Sequence, residues 1–258
     1  MIFIQPSINP IIISFGFFDI RWYSLAYILA FILGSIFIKK LNRSSYKLLS
    51  DIQIDRFFIW AVIGVIIGGR IGYVFFYQTN LFFSKPSYIL EIWNGGMSFH
   101  GGLIGMTLSI YLFSVKYNIR FFYLSDLVSL VAPIGLFLGR ISNFINTELY
   151  GRVTDFPFAI IYPLIDNNPR HPSQLYEAVF EGLILLLILL SYFNNKPKKY
   201  KIGSISALFL ILYSIFRFFI EYLREPDEHL GLLLGYFSMG QILCIPLLLS
   251  GLLIYFRK

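Results

Sequence analysis

The sequence predicts an all-α integral membrane protein of about seven transmembrane helices, with a small extracytoplasmic head and interfacial arms. Three observations predict it. Hydrophobic residues fill 57% of the 258 positions and charged residues only 14%, whereas an ordinary soluble domain is about 25% charged. The apolar residues gather in blocks of roughly 16 to 21, the length that crosses a hydrocarbon core as helix. The basic residues concentrate in alternate joining segments.

Read between polar loops, the apolar blocks place spans at 22–38, 57–77, 97–115, 124–140, 174–193, 202–222 and 236–256. The chain, 1–258, reads as a single polytopic membrane domain. Residues 1–20, "MIFIQPSINPIIISFGFFDI", are apolar but contain Pro6 and Pro10, with no basic leader and no small-residue cleavage site. They read as a retained interfacial arm and not as a signal peptide. Segments 141–173 and 223–235 are rich in Pro, Asp, Asn and Gly, and 141–173 reads as the outer head. Segment 78–96 holds one lysine and Trp93, an aromatic suited to the membrane interface.

Charge gives the direction. Lys39, Lys40, Arg43, Lys47, Arg56, Lys116, Arg120, Lys196, Lys198, Lys199, Lys201, Arg257 and Lys258 fall on one side of this topology, thirteen of the 21 basic residues. By the positive-inside bias that side is the cytoplasm, so the N-terminus is outside and the C-terminus cytoplasmic. A net charge of +7 would suggest nucleic acid in a soluble protein; confined to short loops it sets topology, and no nucleic-acid partner is expected. Cys244, the one cysteine, can form no intrachain disulfide and reads as packing. Glycines four apart, Gly64/Gly68/Gly72, Gly101/Gly105 and Gly135/Gly139, allow close approach of helices in lipid. No internal repeat suggests an inverted-repeat transporter.

Span direction converts position into depth. Spans two, four and six run outward, placing Arg70, Arg140, Arg217 and Glu221 near the outer side, and spans one, three and five run inward, placing Tyr23, His100, Gln174 and Glu177 there too. An arginine facing lipid would cost about 2.5 to 3.5 kcal/mol. Arg70, in "GGRIGYVFFY", reads equally as a snorkelling residue, a structural ion pair or a substrate contact. Tyr213, Arg217, Glu221 and Arg224 recur at i, i+4, i+8 and i+11, one helical face that must point inward. Gln174, Glu177 and Glu181 at i, i+3 and i+7 form a second polar seam, equally readable as interior hydrogen bonding. In "GRISNFINTELYGR", Arg140 and Asn143 lie one turn apart where a helix is expected to end, with Asn146 and Glu148 in an irregular segment; the stretch reads as part of a site, with capping of that helix end as the lesser alternative. His100 has no partner at metal-ligand spacing, and no metal is expected.

Guanidinium groups at the outer interface suit phosphate, since each offers a planar fork of donors and keeps its charge. The phosphate available at that depth belongs to a lipid head group. An enzyme acting there needs phosphate clamps, for which Arg140 and Arg217 serve, and a proton acceptor, for which His100 is the histidine at the right depth. A flippase would need polar residues through the inner half, and "FFIWAVIG" and "ISALFLILYS" offer few. A purely structural scaffold is the third reading.

"GGRIGYVFFY", "GGMSFHGGLIG", "GRISNFINTELYGR", "RHPSQLYE" and "FRFFIEYLREPD", in that order, closely resemble the prolipoprotein diacylglyceryl transferases of bacterial inner membranes. Ser142 stands where that family usually has glycine. The resemblance implies transfer of the diacylglyceryl group of phosphatidylglycerol to the lipobox cysteine of a preprolipoprotein signal peptide, with release of glycerol phosphate and no metal or soluble cofactor. It marks Arg140 and Arg217 as essential, supported by Tyr23, His100, Asn143, Glu148, Gly151 and Glu221. Arg140, Arg217 and His100 are thus the catalytic candidates; Arg140, Asn143, Tyr23, Glu148, Gly151, Tyr213, Glu221 and Arg70 are the substrate-binding ones. Whether His100 is a base or a positioning group stays open.

Overall fold

The computed structural model describes residues 3–16, 19–195, 200–226 and 236–257. Lys196, Lys198, Lys199 and Lys258 of the basic set, and most of segment 223–235, lie outside the described residues.

Helices carry most of the chain, and their ends follow from capping chemistry more than from the apolar blocks. α1 spans Trp22–Ser44 and α2 spans Asp51–Tyr77. α2 starts ahead of its apolar block because Ser50 and Gln53 cap each other: Ser50 Oγ accepts the Gln53 N–H at 3.2 Å and Gln53 Oε1 accepts the Ser50 N–H at 2.8 Å. Asp51 adds a carboxylate to the positive first turn. After α3 (Thr79–Ser84) and two short 3-10 turns, α4 spans Phe99–Tyr117, begun by Ser98 Oγ accepting the Gly101 N–H and ended by Asn118 in the left-handed region. α5 spans Phe121–Ile145, α6 is Ser173–Glu177, a π-turned segment covers Ala178–Ile184, and α7 is Leu185–Asn195. α8 spans Ser204–Ile220 and α9 Met239–Phe256. Among the described residues, Trp22–Ser44, Asp51–Tyr77, Phe121–Ile145, Ser173–Asn195 and Met239–Phe256 are long and apolar enough to cross a membrane, and Ser204–Ile220 is a shorter apolar helix. The protein is a mostly helical membrane protein.

The all-α reading omits five short strands. β1 (Phe3–Ile4) pairs in parallel with β4 (Ile160–Ile161), which pairs antiparallel with β5 (Pro169–Arg170), giving the order β1-β4-β5. β2 (Ile11–Ser14) and β3 (Asp19–Arg21) form an antiparallel pair with a register irregularity between Ile11 and Ile13. Isoleucine-rich stretches too short to bury a helix face satisfy their backbone groups by pairing instead.

The chain forms two compact units, Lys39–Ser125 and Met1–Ile38 with Asp126–Lys258. In the first, α2 packs on α4 through glycine. A Cβ at Gly105 would strike the Gly64 carbonyl oxygen and one at Gly101 the Gly68 carbonyl oxygen, so the two backbones touch. Ser109 Oγ donates to Trp60 O (2.9 Å) along the same seam. In the second unit, buried Asp126 holds the start of α8, accepting the N–H groups of Gly203 (2.6 Å) and Ser206 (2.8 Å) and the Ser206 hydroxyl (2.7 Å). This fixes the helix that carries Arg217.

Gly105→Val is expected to destabilise the protein by about 3 kcal/mol or to prevent folding. Gly102→Ala, whose Cβ would sit 3.6 Å from Val65 Cγ1, is expected to be neutral or stabilising by up to about 1 kcal/mol. Thermal unfolding of both variants in detergent checks the contrast.

Candidate active site

The second unit buries a network of arginines and glutamates. Gly182 makes it possible: a Cβ there would lie 2.7 Å from Phe137 Cβ, so the π-turned segment lies directly against α5. Arg140 follows Phe137 by one turn and reaches across, its Nε 2.8 Å from Glu177 Oε2 and its Nη2 3.3 Å from Glu181 Oε2. Arg217 Nη1 donates to the other oxygen of Glu177, and lies 3.6 Å from Glu181 Oε1. Glu177 thereby joins two guanidinium groups from two helices. The wide i→i+5 turns begin directly after Glu177, and such turns often mark functional sites.

The network continues to the end of α8. Arg217 Nη2 lies 2.7 Å from Glu221 Oε2, and Glu221 Oε1 accepts the Ser238 hydroxyl at 3.0 Å and lies 3.4 Å from Arg224 Nη1. Gly240 admits this, since a Cβ there would be 2.8 Å from Glu221 Oε1. Glu177 and Glu181 are wholly buried and Glu221 is 5% exposed. Three arginines face three carboxylates, so the formal charges cancel. Buried charges persist in a low-dielectric interior only when so paired, and removing one partner costs about 3–5 kcal/mol.

The capping reading of Arg140 is corrected by this geometry. α5 continues past it to Ile145, and its donors go to glutamates and not to the helix's last carbonyls.

Beyond α5 the chain is held in a strained turn. Thr147 and Leu149 both adopt positive φ, 60° and 56°, which costs a side-chain-bearing residue free energy and persists where the surroundings over-determine it. The surroundings are visible. Asn143 and Asn146 donate to the two carboxylate oxygens of Glu148 at 3.0 and 3.3 Å. Gln174 Nε2 donates to Glu148 O (2.6 Å), Ser173 Oγ to Leu149 O (2.7 Å), and Thr147 Oγ1 to Gln5 Oε1 (3.1 Å). Glu148 itself is exposed. Gly151 sits at a backbone crossing: it bridges to Arg224, its N–H donates to His171 O (2.9 Å), and a Cβ would run into His171 and Leu223 O. Arg170 ties this crossing together, donating to Gly151 O (3.2 Å), Glu225 (3.1 Å) and Asp166 (2.7 Å).

The remaining candidates sit as follows. Tyr213 is buried on α8 one turn before Arg217, with Phe209 stacked on its ring. Tyr23 packs on Tyr27, whose hydroxyl is in electrostatic contact with Arg140. Arg70 and His100 belong to the other unit. Arg70, a substrate-binding candidate, is buried, and its three guanidinium nitrogens donate to the carbonyls of Ile89 (3.2 Å), Gly95 (2.5 Å) and Tyr88 (2.6 Å), with the Tyr88 ring 4.6 Å away. It is a loop anchor. His100 is exposed in the first turn of α4. Glu177, Glu181, Ser238, Gly240 and Gln5 are structural partners of the site that the sequence-based candidate set lacks. The two glutamates were signalled by their seam spacing; the others carry no local signal.

The profile of the prolipoprotein diacylglyceryl transferase family matches residues 10–257. The chain belongs to this family. The phosphatidylglycerol–prolipoprotein diacylglyceryl transferase of Rickettsia typhi is 51% identical, over 96% of both chains. Those of Rickettsia canadensis and Rickettsia felis are 48% and 49% identical over 96% and 95% of both chains. A diacylglyceryl transferase of this family handles a phospholipid, and the buried arginine network is the part of the described structure chemically suited to one.

Two outcomes follow. Glu177→Ala leaves two buried guanidinium groups short of a partner and is expected to destabilise the protein by about 3–5 kcal/mol, read as reduced thermal stability in detergent. Between α5 and α6, hydrogen bonding from Arg170 pulls the Asp166 pKa down to about 2. Because the folded value is depressed, this contribution is full above about pH 4, the ordinary carboxylate value, and is lost as pH falls through about 2. Amide exchange at Asn168, whose N–H donates to Asp166 (3.0 Å), is expected to stay protected until that lower pH, and to lose protection near pH 4 in Arg170→Gln.

Proposed function

We propose that this member transfers the diacylglyceryl group of phosphatidylglycerol to the lipobox cysteine thiol of a preprolipoprotein, forming a thioether and releasing glycerol phosphate, the first step of bacterial lipoprotein maturation. The observation that carries the site assignment is the pair Arg140 and Arg217, held together through Glu177. Near-complete coverage of relatives bearing that enzyme name supports the reaction.

In the reaction the cysteine sulfur attacks the glyceryl carbon, the carbon–oxygen bond breaks, and its electrons stay on the phosphate. Charge grows on a phosphate oxygen in the transition state, so donors already fixed at that place lower the barrier without reorganising. Arg140 and Arg217 are those donors. Among the described residues, Arg140 donates a hydrogen bond through Nη2 and none through Nη1, and its side chain is 16% exposed, so part of the fork is open to an incoming anion. Tyr213 and Glu221 complete the arginine side of the site. Asn143 and Glu148 form a polar lip, Gly151 shapes it, and Tyr23 contacts substrate from its own helix. The lipid tails remain in the bilayer.

The same proposal places the protein in the bacterial cytoplasmic membrane as one polytopic domain with seven spans, α4 and α8 joining the five membrane-crossing helices named above, the N-terminus outside and the C-terminus cytoplasmic. Residues 1–20 are the interfacial arm and 141–173 the outer head. Basic joining segments on one side support this orientation.

Purified protein in phosphatidylglycerol vesicles is expected to add a diacylglyceryl thioether to a lipobox peptide, seen by mass spectrometry. Arg140→Ala is expected to lower the rate by at least about 100-fold. An unchanged rate, or lipid flux with no covalent product, would overturn the assignment.

A further inference from the structure

On the transferase reading, a thiol must lose a proton, and an ordinary thiol with a pKa near 8.5 is mostly protonated at neutral pH (roughly 3% ionised). The structure points to a group other than His100. We propose that Glu181 is the proton acceptor for the attacking thiol.

Three buried carboxylates share the network, and they are held unequally. Glu177 is gripped through both oxygens, by Arg140 at 2.8 Å and by a close bond from Arg217. Glu221 has Arg217 at 2.7 Å and the Ser238 hydroxyl at 3.0 Å. Each of the three has one oxygen that accepts no hydrogen bond among the described residues; at Glu177 and Glu221 a guanidinium nitrogen lies within 2.8 and 2.7 Å of that oxygen, whereas Glu181, wholly buried, has only the longer contacts, 3.3 Å to Arg140 and 3.6 Å to Arg217. The buried carboxylate whose cations stand farthest off is the one best relieved by a proton.

The charge count supplies the trigger. Arginines and glutamates cancel, and both terminal nitrogens of Arg217 are engaged, so a phosphodiester anion that takes hydrogen bonds from Arg140 and Arg217 competes with the carboxylates already there. Glu181 is the one most easily displaced. Its loss of cationic contact raises its appetite for a proton at the moment the lipid arrives. The charged and titratable groups facing it are Arg140 from α5, Arg217 and Tyr213 from α8, Glu177 from its own helix and Cys244 from α9. The S–H bond breaks and its proton goes to Glu181; the sulfur electron pair forms the carbon–sulfur bond; the carbon–oxygen bond breaks onto phosphate. The proton then passes from Glu181 to a phosphate oxygen of the departing glycerol phosphate, and the carboxylate is regenerated.

The test compares a lipobox cysteine peptide with the same peptide carrying selenocysteine, whose selenol is ionised at neutral pH and needs no base. Wild type, Glu181→Gln and Glu181→Asp are assayed in phosphatidylglycerol vesicles. Glu181→Gln is expected to lose about 100-fold or more with the thiol, to bind phosphatidylglycerol within a few-fold of wild type, and to recover most of its rate with the selenol. Glu181→Asp, which keeps the carboxylate should the amide fold poorly, is expected to lose less and to show the same selective recovery. An equal loss with thiol and selenol in both variants would mean that Glu181 only holds the arginines, and an unchanged thiol rate in Glu181→Gln would dismiss it altogether. Absence of thioether from wild type would defeat the transferase reading itself.

Discussion

Glu177, wholly buried and shared between Arg140 and Arg217, is the contact on which the rest of the second unit depends. A low-dielectric interior tolerates these charges only together. The helices bearing them must therefore reach fixed relative positions, and the surrounding sequence is arranged to that end. Gly182 removes the side chain that would hold α5 away, Gly240 does the same for the start of α9, and Asp126 pins the beginning of α8 far from the arginine it carries. Specificity of this kind is bought with desolvation, since an apolar repacking of the same volume is often as stable. On the proposed reading the guanidinium groups serve the chemistry, and their cancellation by carboxylates keeps the site tolerable between turnovers.

A second level of construction stabilises the polar lip beside the network. Gln5, just after β1, donates to Phe144 O (2.5 Å) and accepts from Thr147. Gln174 and Ser173 hold the next two carbonyls, and Arg170 fastens the crossing at Gly151. Two residues with side chains are kept at positive φ on either side of Glu148. That strain fixes where the Glu148 carboxylate points, and the donors of Asn143 and Asn146 fix it again. The short β1-β4-β5 sheet joins Phe3–Ile4 to segment 160–170, so the N-terminal segment takes part in supporting the candidate site.

Much of this was legible in the sequence because membrane burial makes polar residues conspicuous. Arg140, Arg217 and Glu221 stand out as charges within apolar blocks, and the i, i+4 spacing of the latter two is their observed ion pair. The glycines four apart in spans two and three are the observed α2–α4 seam. What stayed hidden depends on contacts distant in the chain. Arg70 has the same local look as Arg140, yet it spends its donors on loop carbonyls, and no local pattern separates a guanidinium that meets carboxylates from one that meets backbone. Glu181 lies on the seam of Glu177, but its looser hold emerges only once Arg140 and Arg217 are placed around it. The two- to four-residue strands carry too short a period to register against apolar surroundings, and the π-turned segment changes hydrogen bonding without changing composition.

The most direct measurement is an experimental structure of the protein with phosphatidylglycerol bound. The lipid phosphate is expected within about 3 Å of guanidinium nitrogens from both Arg140 and Arg217, with Glu177 still between them and Glu181 drawn away from Arg140. A phosphate bound elsewhere, with all three glutamates still on their arginines, would contradict the central role given to this network.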